Sequence, residues 1–135
     1  VEAEKMDLTD HTGKKVLLVE DNELNREIAT EIIGMSGAEV DSAENGKEAV
    51  DIIKEKGPDY YGIVFMDIQM PVMNGYDAAR AIRDLPGCGE LPIVAMTANA
   101  FAEDVLHAKE AGMNGHISKP LDVNKLNDIL NQWLN

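Results

Sequence analysis

The sequence predicts an α/β protein: a doubly wound (βα)5 chain with one five-stranded parallel sheet, in the order 2-1-3-4-5, and helices on both faces. Three observations carry this prediction. Between residues 14 and 135, short apolar runs alternate five times with longer stretches of three-to-four-residue periodicity, the pattern of strands joined by crossover helices. Three of the five strand candidates are unbroken apolar runs, as strands buried on both faces are; the other two are interrupted by polar residues, as edge strands are. Gly or a Gly–Pro or Pro–Gly pair closes four of the five helical stretches.

The elements follow in order. Residues 1–13 are polar and aperiodic and read as a linker or tail, with the domain over 14–135. Val16-Leu17-Leu18-Val19 is the first strand. Leu24, Ile28, Ile32 and Met35 then recur as one face of a helix, ended by Ser36-Gly37. Val40 sits in a short, mostly polar strand at Glu39–Ala43, followed by a helix carrying Ala49, Val50 and Ile53 and closed by Gly57-Pro58. Ile63-Val64-Phe65-Met66 is the third strand; Ala78, Ile82 and Leu85 mark the third helix, stopped by Pro86-Gly87. Ile93-Val94-Ala95-Met96 is the fourth strand, and a helix over residues 102–111 stops at Gly112. His116-Ile117-Ser118 is a brief strand, after which Asp122 caps a last helix with Val123, Leu126, Leu130 and Trp133. Right-handed crossovers put the unbroken first, third and fourth strands in the centre and the second and fifth at the edges, the flavodoxin-like order.

Composition narrows function. Of 135 residues, 44% are hydrophobic and 27% charged, as in a soluble globular domain. Twelve Lys and Arg face 25 Asp and Glu, a net charge of −13 that argues against nucleic acid and against an anionic membrane surface. No apolar stretch approaches the roughly 20 residues of a membrane span, and residues 1–10 lack the apolar region of a signal peptide. The single cysteine, Cys88, has no internal partner, which fits a reducing, cytoplasmic setting.

In such a sheet, ligands bind beyond the carboxyl ends of the strands, where strand order reverses. The first strand runs into Glu20-Asp21, the third ends at Asp67, the fourth at Thr97, and Lys119-Pro120 follow the fifth. Three carboxylates, a hydroxyl and an ammonium therefore converge on one edge. One such residue alone reads better as a solvated loop group or helix cap. Together they call for a counter-charge, which Lys119 supplies in part and Mg2+ on Asp21 and Asp67 would complete. A carboxylate so placed can act as a nucleophile toward phosphorus, and phosphoryl transfer asks chiefly for positioning and charge neutralisation. Nothing nearby reads as a hydrolytic base.

Four segments together resemble the receiver domain of two-component response regulators, over residues 14–135: Val16-Leu17-Leu18-Val19-Glu20-Asp21-Asn22, Met66-Asp67-Ile68-Gln69-Met70-Pro71-Val72-Met73-Asn74-Gly75, Ala95-Met96-Thr97-Ala98 and Ser118-Lys119-Pro120. The segment around Asp67 is most similar to receivers attached to hybrid sensor histidine kinases. The resemblance implies that Asp67 accepts phosphoryl from a histidine kinase or histidine phosphotransfer domain. It implies Mg2+ on Asp21, Asp67 and the backbone carbonyl of Gln69, with Glu20 holding metal-bound water, Thr97 as the switch hydroxyl and Lys119 as the phosphate partner. It implies no enzymatic activity for this segment beyond self-phosphorylation and autodephosphorylation, and a downstream partner on the face of the fourth helix, fifth strand and fifth helix. The parent is a hybrid kinase, whose cytoplasmic part this would be, or alternatively a stand-alone regulator or one with an output domain outside this chain.

One position departs from the pattern. Many receivers carry Tyr or Phe three residues before the Lys, and here that residue is His116, which reads equally as a switch residue or as an edge-strand residue without special role. His11 and His107 read as surface or tail residues, and Cys88 as a spare thiol in a Gly-rich loop. Met70 and Met73 read as packing under the loop, and Pro71 and Gly75 as loop-shaping. Val105 and Leu106 are adjacent on a helix, so one of them is expected at the surface. Three other functions are weaker. A flavin phosphate would be repelled by Glu20-Asp21-Asn22-Glu23, which disfavours a flavodoxin-type electron carrier. A haloacid-dehalogenase-type phosphatase needs a second acid where Gln69 stands. A degenerate, purely binding receiver would not keep all five site residues.

Overall fold

The computed structural model describes residues 11–98, 102–119 and 121–134. The elements are β1 (Lys15–Val19), α1 (Glu23–Gly34), β2 (Glu39–Ala43), α2 (Gly46–Lys56), β3 (Ile63–Asp67), α3 (Gly75–Arg83), β4 (Ile93–Thr97), α4 (Ala102–Glu110), β5 (Gly115–Ser118) and α5 (Val123–Leu134). All strands pair in parallel, in the order β2-β1-β3-β4-β5. The edge assignments hold for the reason given. Every residue of β3 and β4 is buried, whereas β2 buries only Ala43 and β5 only Ile117.

Alternation along the strands builds two cores. Leu17, Val19, Val64, Met66, Ile93 and Ala95 face α2 and α3, packing on Ala49, Ile53, Ala78, Ala79 and Ile82. Val16, Leu18, Ile63, Phe65, Val94 and Met96 face α1 and α5, packing on Ala29, Ile33, Leu126, Leu130 and Leu134. Met70 and Met73 pack against the first core, and Leu106 is 56% exposed, both as expected. Asp122 accepts from the Asn124 and Lys125 N–H groups, capping α5 as predicted.

Several particulars differ from the sequence reading. Of the predicted face of α1, Leu24, Ile28 and Met35 turn outward and Ile32 packs half-buried against the second core, while Ala29 and Ile33 turn fully in. Asparagines open the first three helices: Asn22, Asn45 and Asn74 each accept from an N–H three residues on. This gives α2 and α3 earlier starts than their apolar periodicity marks, and Leu85 falls beyond α3. His11 is not a surface residue. It is 1% exposed, donates its N–H to the Ser36 carbonyl, and bonds Asn131 of α5 through Nε2 at 3.0 Å. Cys88 is buried in the first core, which pushes its thiol pKa up. Residues 1–10, residues 99–101 and Pro120 lie outside the described residues.

Candidate functional site

The carboxyl edge of the sheet carries a polar pocket of about 270 Å3, lined among others by Glu20, Asp21, Asp67, Gln69, Thr97 and Lys119. Each arrives for a local reason. Asp67 and Thr97 are the last residues of β3 and β4, so alternation ends on them as the strands leave the core. Glu20 follows β1, and its backbone is held from both sides: its N–H donates to the Ala43 carbonyl at 3.1 Å, and Arg26 Nη1 donates to its carbonyl at 2.9 Å. The Lys119 N–H donates to the Thr97 carbonyl at 2.7 Å, which fixes Lys119 beside the end of β4. Gly75 packs directly on the Asp67 carbonyl, where a Cβ has no room, and donates to the Ile68 carbonyl at 2.8 Å.

The electrostatics follow from burial. Glu20 is 2% exposed and Asp67 6%. The Lys119 ammonium lies 2.6 Å from Glu20 Oε1 and 3.4 Å from Asp67 Oδ1, and Glu20 Oε2 accepts the Asn22 N–H at 3.1 Å. Burial, then the Glu20 charge, pushes the Asp67 carboxyl up to about 7, against the opposing pull of Lys119. Burial works against the charge of Lys119, but its hydrogen bond to Glu20 and the charges of Asp67 and Glu20 prevail, and its pKa is raised.

Two features fit absent groups. Carboxylate oxygens of Glu20, Asp21 and Asp67 lie within 4.8 Å of one another, a hard-oxygen donor set suited to a divalent cation. Among the described residues the Thr97 hydroxyl, buried at the pocket wall, has no partner, a donor held ready for an oxygen that enters.

The chain belongs to the response regulator receiver domain family. The family's model matches residues 16–131. Hybrid signal transduction histidine kinase L of Dictyostelium discoideum is 39% identical over 122 residues, 88% of this chain; the match spans only 7% of that protein's length. Among solved structures, the receiver domain of the sensor histidine kinase PA1611 from Pseudomonas aeruginosa, with magnesium coordinated in its active-site cleft, superposes with a TM-score of 0.82 at 35% identity, covering 91% of this chain and 98% of that one. The receiver domain of the Saccharomyces cerevisiae response regulator Ssk1, solved with the histidine phosphotransfer protein Ypd1, gives 0.82 at 31% identity, covering 93% and 90%.

In this receiver the structure gathers Glu20, Asp21, Asp67, Gln69, Thr97 and Lys119 in one pocket. His116 stands apart. It is exposed on β5, between a groove toward α4 and one toward α5. Sequence reasoning missed Arg26 as the support of Glu20. It also missed an apolar groove of about 350 Å3 beside the pocket, which shares Glu20, Asn25, Ala98 and Lys119 with it and adds Ile28 and Leu121. The signal was present: α1 carries two apolar stripes, and only one can face the sheet.

Proposed function

We propose that this receiver accepts a phosphoryl group on Asp67 from a phosphohistidine, as part of a hybrid sensor histidine kinase, and signals by a change of conformation. The observation that carries this reading is the Asp67 carboxylate at the floor of a polar pocket, between the Lys119 ammonium and the unpartnered Thr97 hydroxyl. An Asp67 oxygen forms the new bond to phosphorus as the P–N bond of the donor breaks, and the imidazole leaves with the electron pair and takes up a proton. Lys119 neutralises one phosphoryl oxygen, and Thr97 donates to another. Asp21 and Asp67, with the Gln69 carbonyl, would hold Mg2+, and Glu20 would orient a metal-bound water. When bound, Mg2+ would neutralise the charge that gathers between carboxylate and phosphoryl oxygens.

The exposed apolar face of α1 supports a helical phosphodonor. Leu24, Ile28 and Met35 line one side of the helix, and Ile28 joins the groove that opens into the pocket. The face of α4, β5 and α5 remains available to a downstream partner, with His116 at its middle as the candidate switch residue. Among the described residues no helix is long and apolar enough to cross a membrane. We place the domain in the cytoplasm, as the signalling chemistry requires.

Incubation with acetyl phosphate and Mg2+ tests the chemistry. One phosphoryl mass should appear, require Mg2+, and be lost in Asp67→Asn and strongly reduced in Asp21→Asn. Equal labelling of Asp67→Asn would reject the assignment.

A further inference from the structure

Arg83 lies in the last turn of α3, half-buried. Its guanidinium has five N–H donors, and all five are used. Nε and Nη2 donate to the Gly112 carbonyl at 2.9 and 2.6 Å. Nη1 donates to the carbonyls of Cys88 at 2.8 Å and Leu91 at 2.7 Å. The other Nη2 donor reaches Asn114 Oδ1 at 2.8 Å. Asn114 is itself tied to the start of β4: Oδ1 accepts the Ile93 N–H at 2.8 Å, and the Asn114 N–H donates to the Ile93 carbonyl at 2.7 Å. One side chain thus joins the end of α3, the segment leading into β4, and the turn from α4 to β5.

Every acceptor is a neutral oxygen. Burial works against the charge of Arg83 and lowers its pKa. The partly negative C-terminal ends of α3 and α4 offset that cost. Gly112 is needed twice over. Its φ is +96°, the left-handed end of a helix, and a Cβ there would come within 2.9 Å of Arg83 Cγ. A lysine offers three donors from a single point and cannot reach four separate acceptors.

The cluster sits at the amino edge of the sheet, opposite the edge where β3 and β4 end in Asp67 and Thr97. Helix α4 begins five residues after Thr97 and ends against Arg83. Between these ends its described part buries only Ala108, leaves Leu106 exposed, and borders a groove of about 410 Å3 lined by Val105, Lys109, Met113 and His116. The geometry points to Arg83 as the anchor of α4: it holds the C-terminal end, with Met113 and Asn114, so that a rearrangement starting at phosphorylated Asp67 and passing through Thr97 is confined to the N-terminal turns of the helix and the Val105 side of the groove. This rests on the phosphoacceptor reading above. It gives Arg83 a positioning role, without contact to the phosphoryl group.

Amide hydrogen exchange with and without beryllofluoride, in wild type and in Arg83→Lys, tests the anchor. In wild type the amides of Met113 and Asn114, which donate to the Ala108 and Ile93 carbonyls, keep their rates when the phosphoryl mimic binds, while those of Val105 and Leu106 change. In Arg83→Lys the Met113 and Asn114 amides exchange at least about tenfold faster, the weight of a lost hydrogen bond to a charged group, and become sensitive to beryllofluoride. The Phe65 amide in the central β3 stays as in wild type, which separates release of this end from loss of the fold. Wild-type Met113 and Asn114 amides that respond as strongly as Val105 would overturn the proposal. So would a folded Arg83→Lys with wild-type rates. Should Arg83→Lys fail to fold, Asn114→Ala removes one of the four acceptors and carries the same expectation at smaller size and the same overturning result. A wild type that takes up no beryllofluoride rejects the phosphoacceptor reading instead, and the anchor is then judged on the exchange rates of the unliganded pair.

Discussion

Lys119 grips Glu20 more closely than it grips Asp67, at 2.6 Å against 3.4 Å. Glu20 is the more deeply buried of the two acids, so the ammonium first answers the costliest charge. Lys119 therefore has a structural task before any phosphoryl group arrives. Replacing it by Met leaves Glu20 buried and unpaired. The expected cost at pH 7.5 without metal is about 1–3 kcal/mol, below the range for fully buried pairs because Lys119 still reaches solvent. Urea unfolding should show a smaller cost at pH 5, where Asp67 is protonated, and partial rescue by Mg2+. A cost independent of both would mean that the Lys119–Asp67 contact carries no stability.

The Asp67 carboxyl, pushed up to about 7 by burial and then by Glu20, sets a pH dependence. A carboxyl whose pKa is raised on folding holds its proton more tightly in the folded chain than in the unfolded one. Between about pH 4 and pH 7 its contribution to stability therefore falls as pH rises. Asn at this position carries no such charge. In EDTA, Asp67→Asn should match wild type near pH 4 and become progressively the more stable of the two as pH rises toward 7. A stability difference that does not vary with pH would contradict this picture of the pocket.

Thr97 carries a buried hydroxyl without a partner among the described residues, so its removal should cost the resting state nothing. The isosteric Thr97→Val should leave stability unchanged or higher by up to about 1 kcal/mol. The same variant should still take up phosphoryl at Asp67 but lose the conformational response. One charge-assisted hydrogen bond, about 1.5–3 kcal/mol, shifts such an equilibrium by roughly ten- to a hundredfold. NMR of the beryllofluoride complex reads that population, and a wild-type response in Thr97→Val would remove the hydroxyl from the switch.

The outward face of α1 separates docking from chemistry. Leu24→Asp with Ile28→Asp changes two exposed residues and should alter stability by no more than about 0.5 kcal/mol each. Labelling by acetyl phosphate should persist, while transfer from a phosphorylated histidine phosphotransfer domain should fall at least about tenfold, the loss of about one buried apolar side chain's contribution. Parallel loss from both donors would point to damage in the pocket instead.

Much of this receiver was legible in its sequence. Strands covered on both sides must be apolar throughout, so unbroken runs named the central strands and interrupted runs named the edges. Parallel topology then places every strand's carboxyl end on one side, so Glu20, Asp21, Asp67, Thr97 and Lys119 converge whatever the details of packing. The tertiary structure alone decided the rest. Periodicity defines a helix face but not which way it turns, and α1 buried Ala29 and Ile33 against the sheet, leaving Leu24 and Ile28 outside. His11 looked like part of a polar tail until Ser36 and Asn131 closed around it. The choice of Lys119 for Glu20 over Asp67, and the hydrogen bonds of Arg83 to Gly112 and Asn114, join residues far apart in the chain. Such contacts leave no local pattern, because a buried charge takes whatever oxygens the packed chain brings within reach.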